Sequence, residues 1–403
     1  MHKIIIDKSY QFVPPLDSWF WPTALDLFMP WMLKRHHGMH SVECLGVEHL
    51  RQSVAAGHGI VLAPNHSRPC DPMVLSPLSQ SVGRHFFIMA SWHLFMQTRL
   101  QTYLLRRAGV FSIYREGMDK AALNAAIEIL VEARRPLVIF PEGVISRTND
   151  HLNPLMEGTS FIARNAAKKR AKISPQAKVV IHPVAINYFF RGDIHQAILP
   201  VLEHIEARLS WRPNKGKHVI ERIVRIGDGL LTLKEMDYLG APQSGDIGPR
   251  LHRLIEHLLT PLEQEYREGQ KESHTIARVK RLRQSILPDL TTADLPEAER
   301  ERRWRQLADL YLAQQLDFYP PDYIRSRPTP ERILETVERF EEDLTDVARV
   351  HAPMAAVVQV GPAIEVSPER ERGVADPVMQ KLEEQLKSML ERTSHDRTQP
   401  VAL

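Results

Sequence analysis

The sequence of 403 residues contains only two cysteines, Cys44 and Cys70. They have neither a Cys-x-x-Cys spacing nor metal-binding residues beside them, which argues against a disulfide framework and against a zinc site. A reducing compartment therefore fits the chain better than an oxidising one. Excess charge of one sign is scarce too, because the formal net charge is only +3. That value is too small to indicate a nucleic-acid partner, and we expect none.

Long apolar runs are also missing. No stretch of about 20 apolar residues could span a bilayer, and the first residues lack the apolar core of a secretory signal. Residues 19–33 come nearest, with three of the six tryptophans and two prolines that we expect to break a helix. Lys34 and Arg35 follow directly, and aromatic side chains beside basic ones favour the headgroup layer. We therefore predict that residues 1–39 are an interfacial membrane-anchoring segment, which holds the chain peripherally on a lipid surface at the cytoplasmic face. Packing of this segment on the protein's own core remains the alternative.

The charges that are present are unevenly distributed. Residues 1–200 carry 22 Lys and Arg against 14 Asp and Glu, whereas residues 201–403 carry 30 against 35. A basic first half suits anionic lipid surfaces and substrates that bear phosphate. Chance unevenness among solvated charges explains the same numbers equally well.

From about residue 40 to 190, short apolar runs alternate with helical stretches, which predicts an α/β layer fold. The predicted strands are 59–63, 111–114, 137–140 and 178–186, and the predicted helices follow Gly117 and span 159–169. Beyond residue 200, five glycines between 227 and 248 indicate a loop-rich passage before several amphipathic helices. We predict a sheet domain at 40–204, a mostly helical accessory region at 205–392, and a flexible tail at 393–403. An apolar run within 355–366 is expected to return to the main sheet as a strand.

Polar side chains follow the first of these strands. His66 and Asp71 are five residues apart, directly after it. A histidine can take a proton from a hydroxyl near neutral pH, and a carboxylate on its other nitrogen would fix the tautomer and stabilise the imidazolium. There are structural alternatives: Asp71 before Pro72 is also a good helix start, and His66 alone suits a partly buried hydrogen-bonded position.

Two further strand ends add to this pair. Arg115 follows the second strand, and Glu142 with Gly143 follows the third, so one sheet edge would collect a base, a guanidinium and a carboxylate. Arginine pairs well with phosphate oxygens, Glu142 could accept a hydrogen bond from a substrate hydroxyl, and glycine lets the backbone approach a ligand. Each has a structural alternative: a surface salt bridge for Arg115, a turn for Glu142, and solvation for Arg147.

Four segments then resemble, in order and spacing, the four motifs of the glycerophospholipid acyltransferase family, whose best-known members are 1-acylglycerol-3-phosphate acyltransferases. They are N-H-x-x-x-x-D at 65–71, G-V-F-S-I-Y-R at 109–115, F-P-E-G at 140–143 and V-I-H-P-V-A at 180–185. The resemblance covers roughly residues 40–200. It implies an α/β fold with a mixed sheet flanked by helices, and an acyltransferase domain at 40–204.

The resemblance also implies a reaction. His66, held by Asp71, would deprotonate a hydroxyl of a lysophospholipid or related glycerolipid, and this oxygen would attack an acyl thioester. Acyl-coenzyme A or acyl-carrier protein is the implied donor and acts as a co-substrate, while no cofactor, metal or covalent enzyme intermediate is implied. In the family's terms, Arg115 would lie near the acceptor's phosphate, Glu142 on its glycerol part, and Pro183 in the wall of the acyl or acceptor pocket. Asn65 and Gly143 are expected at the same substrate site.

One position departs from the family pattern. Many phosphatidate-forming members have Thr-Arg after F-P-E-G, where this chain has Val144 and Ile145. Arg147, two residues further on, is the nearest candidate to replace the missing arginine. This departure favours a lysophospholipid with a larger head group over lysophosphatidic acid. Two alternatives from other classes remain open: a catalytically silent lipid-binding or scaffold protein, and a thioesterase-like hydrolase, although no G-x-S-x-G elbow is present.

Overall fold

The computed structural model describes residues 8–174, 176–212, 216–266, 274–292, 294–351, 353–369 and 375–398. Its strands are β1 Met39–Leu45, β2 Gly59–Pro64, β3 Phe87–Ser91, β4 Val110–Ile113, β5 Leu137–Val138, β6 Val179–Phe190, β7 Met354–Val360 and β8 Ile364–Glu365. Its helices are α1 Phe20–His37, α2 Val47–Ala55, α3 Asp71–Val74, α4 Ser76–Val82, α5 Arg99–Arg107, α6 Lys120–Glu132, α7 Gly158–Ile173, α8 Ile194–Arg208, α9 Val219–Leu239, α10 Ile247–Glu265, α11 Thr275–Thr292, α12 Glu297–Asp317, α13 Tyr323–Ser326, α14 Pro330–Thr345 and α15 Pro377–Arg397.

The strands form one mixed sheet in the order β1-β7-β6-β2-β5-β3-β4, and β8 pairs with β6. β2 is parallel to β5 and β6, and β3 is parallel to β4 and β5, whereas β7 and β8 run antiparallel to β6. The carboxyl ends of β2, β3, β4 and β5 therefore lie at the same edge. The predicted mixed α/β sheet with flanking helices is confirmed.

Helices cover both faces of the sheet, and each face has its own apolar core. Side chains of α2, α4, α8 and α14 pack on one face, and those of α6, α7 and α15 pack on the other. This explains why every residue of β2 and of β6 is buried and why both strands are so apolar. β7 lies between β1 and β6, so part of the central sheet comes from the last quarter of the chain.

The helical C-terminal region contains a bundle of its own. Leucine and isoleucine side chains of α10, α11 and α12 form a third core, to which Leu231 of α9 contributes. α14 is different, because Ile333, Leu334 and Val337 are buried in the core shared with the sheet. α9 and α15 likewise place buried side chains in the cores on the sheet, so several helices of the region are part of the sheet domain by their packing.

Two of the local expectations about helices and strands were wrong. Gly227 and Gly229 lie inside α9, and Gly248 lies inside α10, where a loop-rich passage was predicted. The reason is close packing: a Cβ at Gly229 would lie 2.4 Å from the Trp211 ring, and one at Gly227 would lie 3.1 Å from Phe340. The strand predicted at 137–140 ends at 138, since the chain turns there.

The helix that was expected to break at two prolines is continuous. Pro22 lies in the first turn of α1, where a missing N–H costs little, and Pro30 lies inside the helix. Packing of Met29 and the buried Leu33 against the core holds α1 together across Pro30. The first part of the tail predicted from residue 393 is helical, because α15 runs to Arg397 with Thr393 and Ser394 buried. Residues 1–7 of the predicted anchor and 399–403 of the predicted tail lie outside the described residues.

Candidate active site

The loop after β2 brings His66 and Asp71 together. The Nδ1 atom of His66 and Oδ2 of Asp71 are 2.7 Å apart, and Asp71 is fully buried. The same oxygen accepts the backbone N–H of Arg68 at 3.0 Å. Asp71 is also the first residue of α3, so the helix-start interpretation and the catalytic one describe the same residue. A histidine whose Nδ1–H donates to a carboxylate leaves the lone pair of Nε2 available as a base.

A tyrosine from β6 completes the support of Asp71. The hydroxyl of Tyr188 donates to Oδ1 of Asp71 at 2.5 Å, and the Tyr188 side chain is buried. Burial and the neighbouring Asp71 carboxylate raise the pKa of Tyr188 well above its ordinary value, so the phenol remains a neutral donor. Both carboxylate oxygens of Asp71 are thereby satisfied inside the protein.

The turn after β5 fixes the backbone of His66. Oε1 of Glu142 accepts the backbone N–H of His66 at 2.7 Å, and the backbone N–H of Ser146 donates to the carbonyl of His66 at 2.7 Å. Oε2 of Glu142 accepts both the backbone N–H and the side-chain Nδ2 of Asn153. Burial raises the pKa of Glu142 to about 8, although these N–H donors favour its ionised form.

Three residues expected to touch substrate have other surroundings. The carboxylate of Glu142 is fully buried behind His66 and is not part of the cavity wall described below. The side-chain amide of Asn65 is hydrogen-bonded to β6. Its nitrogen donates to the carbonyl of Ile186, and its oxygen accepts the backbone N–H of Ile186. Pro183 lies within β6 beside Ala63, and its carbonyl accepts the N–H of Gly361. These three residues therefore hold the fold around the histidine, and none of them is among the residues that line the cavity.

Gly143 adopts a left-handed backbone conformation, with φ of +70°. A Cβ at this position would lie 2.6 Å from the sulfur of Met156, so a side chain is excluded on steric grounds as well. Gly143 lines the cavity next to the Phe140 ring. That ring stacks on the His66 imidazole with centroids 4.1 Å apart, and it limits how the imidazole can rotate.

Arg115 emerges after β4 and lines the same cavity as His66. Burial lowers the pKa of Arg115, and the charge of Glu116 partly opposes this. His93, which follows β3, lies close enough for burial and the Arg115 charge to lower its pKa to about 4. His93 is therefore neutral at physiological pH.

Arg147, the candidate to replace the missing motif arginine, also lines the cavity but is already paired. Its Nη2 atom lies 2.8 Å from Oε1 of Glu342 on α14. Arg68, inside the histidine loop, likewise pairs with Glu338 of α14 at 3.1 Å. α14 thus holds both loops that surround His66, and no motif in the sequence signalled either carboxylate.

A cavity of about 1340 Å³ opens in front of His66. It extends from the sheet edge to the helical region, and side chains from both contribute to its wall. Much of that wall is apolar, with Leu94, Leu123, Ile139, Ile162, Leu230 and Leu312 among its residues. In the described part of the chain, no cluster of His, Cys, Asp and Glu is suited to hold a metal ion.

Comparison with known proteins agrees with this geometry. Residues 41–187 match the family model described as Acyltransferase, and the match includes the histidine loop, Arg115 and the turn at Glu142. This segment is therefore an acyltransferase domain, and it belongs to the glycerophospholipid acyltransferase family that the motifs resemble. The match covers less than half of the chain and leaves out α8–α15. A search of curated proteins gives no significant match.

Proposed function

We propose that the protein transfers a fatty-acyl group from a thioester to a hydroxyl of a glycerolipid. The proposal rests on the hydrogen bonding and the position of the His66 imidazole. Its Nδ1 is held by Asp71, while Nε2 has no hydrogen-bond partner among the described residues and the ring borders a large apolar cavity. A base beside an apolar cavity suits an acceptor hydroxyl at the end of a lipid.

The proposed reaction needs no group beyond the two substrates. His66 takes the hydroxyl proton at Nε2 while the oxygen attacks the thioester carbonyl carbon. The C–S bond then breaks, the imidazolium returns its proton to the thiolate, and an ester and a thiol leave. Asp71 stabilises the imidazolium, and its two other hydrogen bonds keep it in place. Coenzyme A or acyl-carrier protein would be released as the thiol.

We also infer that the protein works at a membrane surface, bound peripherally through α1. No helix among the described residues is both long and apolar enough to cross a bilayer. α1 and its N-cap residue nevertheless expose large apolar side chains: Trp19, Phe20, Leu27, Phe28 and Trp31 are between 61% and 78% exposed. Its last turn carries Lys34 and Arg35. Exposed aromatic residues beside cations favour insertion into an anionic headgroup layer.

The test is an acyl-transfer assay with the purified protein. Labelled acyl-coenzyme A and acyl-carrier protein are offered with glycerol 3-phosphate, lysophosphatidic acid, several lysophospholipids and a monoacylglycerol. We expect an acyl ester of one acceptor class, formed with stoichiometric release of thiol, and we expect its formation to depend on His66.

The nature of the product separates the proposal from its rivals. Free fatty acid formed at the same rate with and without acceptor would show a hydrolase and contradict the transfer. Binding of acyl donor without turnover, with both donors and all acceptors, would show a lipid-binding protein.

A further inference from the structure

Two basic side chains of the helical region face the active-site cavity. Lys280 and Arg283 are three residues apart on α11, so they share one face of the helix, and both line the cavity that contains His66. Arg115 lines it from the sheet edge. The three cations are near enough for the charge of Arg115 to affect both residues of α11.

Arg283 lacks the hydrogen bonds that a buried guanidinium requires. Its Nε and Nη2 atoms are buried and have no hydrogen-bond partner among the described residues. Buried donors in native proteins are nearly always satisfied, and an unsatisfied one costs about 1–3 kcal/mol. The side chains of Arg115 and Lys280 likewise make no ion pair within the described part of the chain. An acceptor that comes from outside the chain would satisfy all three.

The charges around this position are unbalanced. Glu116 is the one carboxylate whose charge acts on Arg115, Lys280 and Arg283 alike. Burial lowers the pKa of Lys280, and the charge of Arg115 lowers it further. Cations held together in a partly buried position repel one another, so this arrangement is unfavourable until an anion enters.

We propose that Lys280 and Arg283, together with Arg115, form a pocket that binds the phosphate group of a substrate. This rests on the proposed acyl transfer for its substrate, and it assigns a binding role to a helix outside the segment that matches the family. Three cations against one carboxylate leave a charge that suits a phosphate monoester dianion. An arginine offers paired N–H donors to two phosphate oxygens, and a lysine adds a point charge.

The pocket also accounts for the departure at Val144 and Ile145. Arg147 is held by Glu342, so it is not the free replacement for the missing arginine. α11 supplies two cations from another direction. Phosphate monoester acceptors, which the sequence alone disfavoured, therefore return as candidates.

The phosphate can belong to the acceptor or to the coenzyme A part of the donor, and matched substrates separate the two. We compare Lys280→Gln, Arg283→Gln and the double variant with the wild type. The acceptor arm uses lysophosphatidic acid against monoacylglycerol, and the donor arm uses acyl-coenzyme A against acyl-pantetheine. In one of these arms, we expect the substitutions to raise the KM of the phosphate-bearing substrate relative to the wild type. This rise should be at least ~10-fold greater than the rise for the phosphate-free substrate of the same arm.

Two control variants are included in this comparison. Arg305→Gln makes the same charge change on α12, where the side chain is 76% exposed, and should behave as the wild type. Arg283→Lys keeps the charge and should recover part of the affinity. Equal changes of KM in both members of each pair would overturn the proposal.

Direct binding keeps this test independent of turnover. Calorimetric titration with glycerol 3-phosphate and with coenzyme A should show binding to the wild type that the double variant loses, with glycerol and pantetheine as the blanks. If the protein bound these ligands but had no transferase activity, the proposed phosphate pocket would be supported and the proposed reaction would be contradicted. Absence of binding of both ligands to the wild type would remove the pocket even if transfer to neutral lipids were observed.

Discussion

His66 is restrained at three places by residues from different parts of the chain. Its imidazole ring is hydrogen-bonded to Asp71, and its backbone N–H donates to Glu142. Its backbone carbonyl accepts the N–H of Ser146. Tyr188 in turn holds Asp71. Catalysis by proton transfer depends on such placement, because a shift of about 1 Å in a catalytic group can cost roughly 100-fold in rate.

Tyr188 is expected to act by positioning. Replacing Tyr188 with Phe removes the donor to Asp71 Oδ1 without adding atoms, and it leaves a buried carboxylate oxygen unpaired. We expect the free energy of unfolding to fall by about 1–3 kcal/mol and kcat to fall about 10-fold, with KM little changed. Urea unfolding and steady-state kinetics measure the two effects.

Tyr266→Phe is the matched control for Tyr188→Phe. Tyr266 donates to Gln306 at 2.8 Å in the helical region, away from His66. Loss of this hydrogen bond should lower the free energy of unfolding and leave kcat unchanged. If both variants lowered kcat alike after correction for the folded fraction, the positioning role of Tyr188 would be lost.

At the scale of residues, the sequence predicted one side-chain contact of the site and missed others. The pairing of His66 with Asp71 follows from their spacing and is seen. The surroundings of Glu142 could not be predicted, because the direction of a side chain after a strand end depends on how the turn folds. The hydrogen bonds of Asn65 could not be predicted for a similar reason: the β6 backbone that binds its amide is 121 residues away in the chain.

Among the helices, α14 has the closest connection to the active site. Glu338 and Glu342 pair with Arg68 and Arg147, one in each loop beside His66. Glu335 accepts the N–H of Asn149 and the hydroxyl of Tyr323. An amphipathic pattern identifies such a helix, but it does not say that its polar residues reach a distant loop.

Glu335 should make stability depend on pH. Burial raises the pKa of Glu335 from 4.5 to about 8, so the folded protein keeps a proton that the unfolded chain releases near pH 4.5. The stability associated with this proton is present below that pH and is lost as the pH rises towards 8. Between pH 5 and pH 8, the unfolding free energy of Glu335→Gln should fall less steeply than that of the wild type. We expect the two slopes to differ by up to ~1.4 kcal/mol per pH unit.

Denaturant unfolding at several pH values measures this slope. Glu297→Gln serves as the control, since Glu297 is exposed at the start of α12 and is solvated in both states. Its curve should run parallel to that of the wild type. An unchanged slope in Glu335→Gln would contradict the assignment of the proton to Glu335.

The glycines of α9 show why the element pattern was misread. Glycine lowers helix propensity by about 1 kcal/mol relative to alanine, so clustered glycines predict a loop. In this protein they make room for Trp211 and Phe340, and that tertiary packing outweighs the local preference. A sequence pattern carries no sign of such a contact.

For the whole molecule, the sheet domain and the helical region together enclose one cavity. The family match ends at residue 187, yet β7 lies within the sheet and α11 forms part of the cavity wall. The sequence predicted β2, β4, β5 and β6, because local apolar runs identify them, but it did not predict β1 or β3. It could not predict the shared cavity, since this depends on contacts between distant segments.

The exposed face of α1 should govern membrane binding. Replacing Leu27, Phe28 and Trp31 with Ser removes three apolar side chains that are 61–78% exposed. Full burial of such a side chain contributes about 1.5–3 kcal/mol, so even partial insertion predicts at least a ~10-fold weaker association. Sedimentation with vesicles of phosphatidylcholine and phosphatidylglycerol measures it.

The control for this triple variant replaces exposed apolar residues elsewhere. Ile173, Val347 and Val350 are 43–70% exposed and are not part of α1. Their replacement with Ser should leave vesicle binding unchanged. Equal losses in the two triple variants would indicate general apolar adhesion and would contradict a specific role for α1.

The most direct test of the account is the rate of acyl-ester formation in His66→Ala relative to the wild type, with the acceptor that the assay panel identifies. A general base contributes about 10²–10⁴ in rate, so we predict a loss of roughly 1000-fold in a protein that still unfolds in one cooperative transition. A folded His66→Ala protein that kept more than about a tenth of the wild-type rate would contradict the account, because another group would then take the proton.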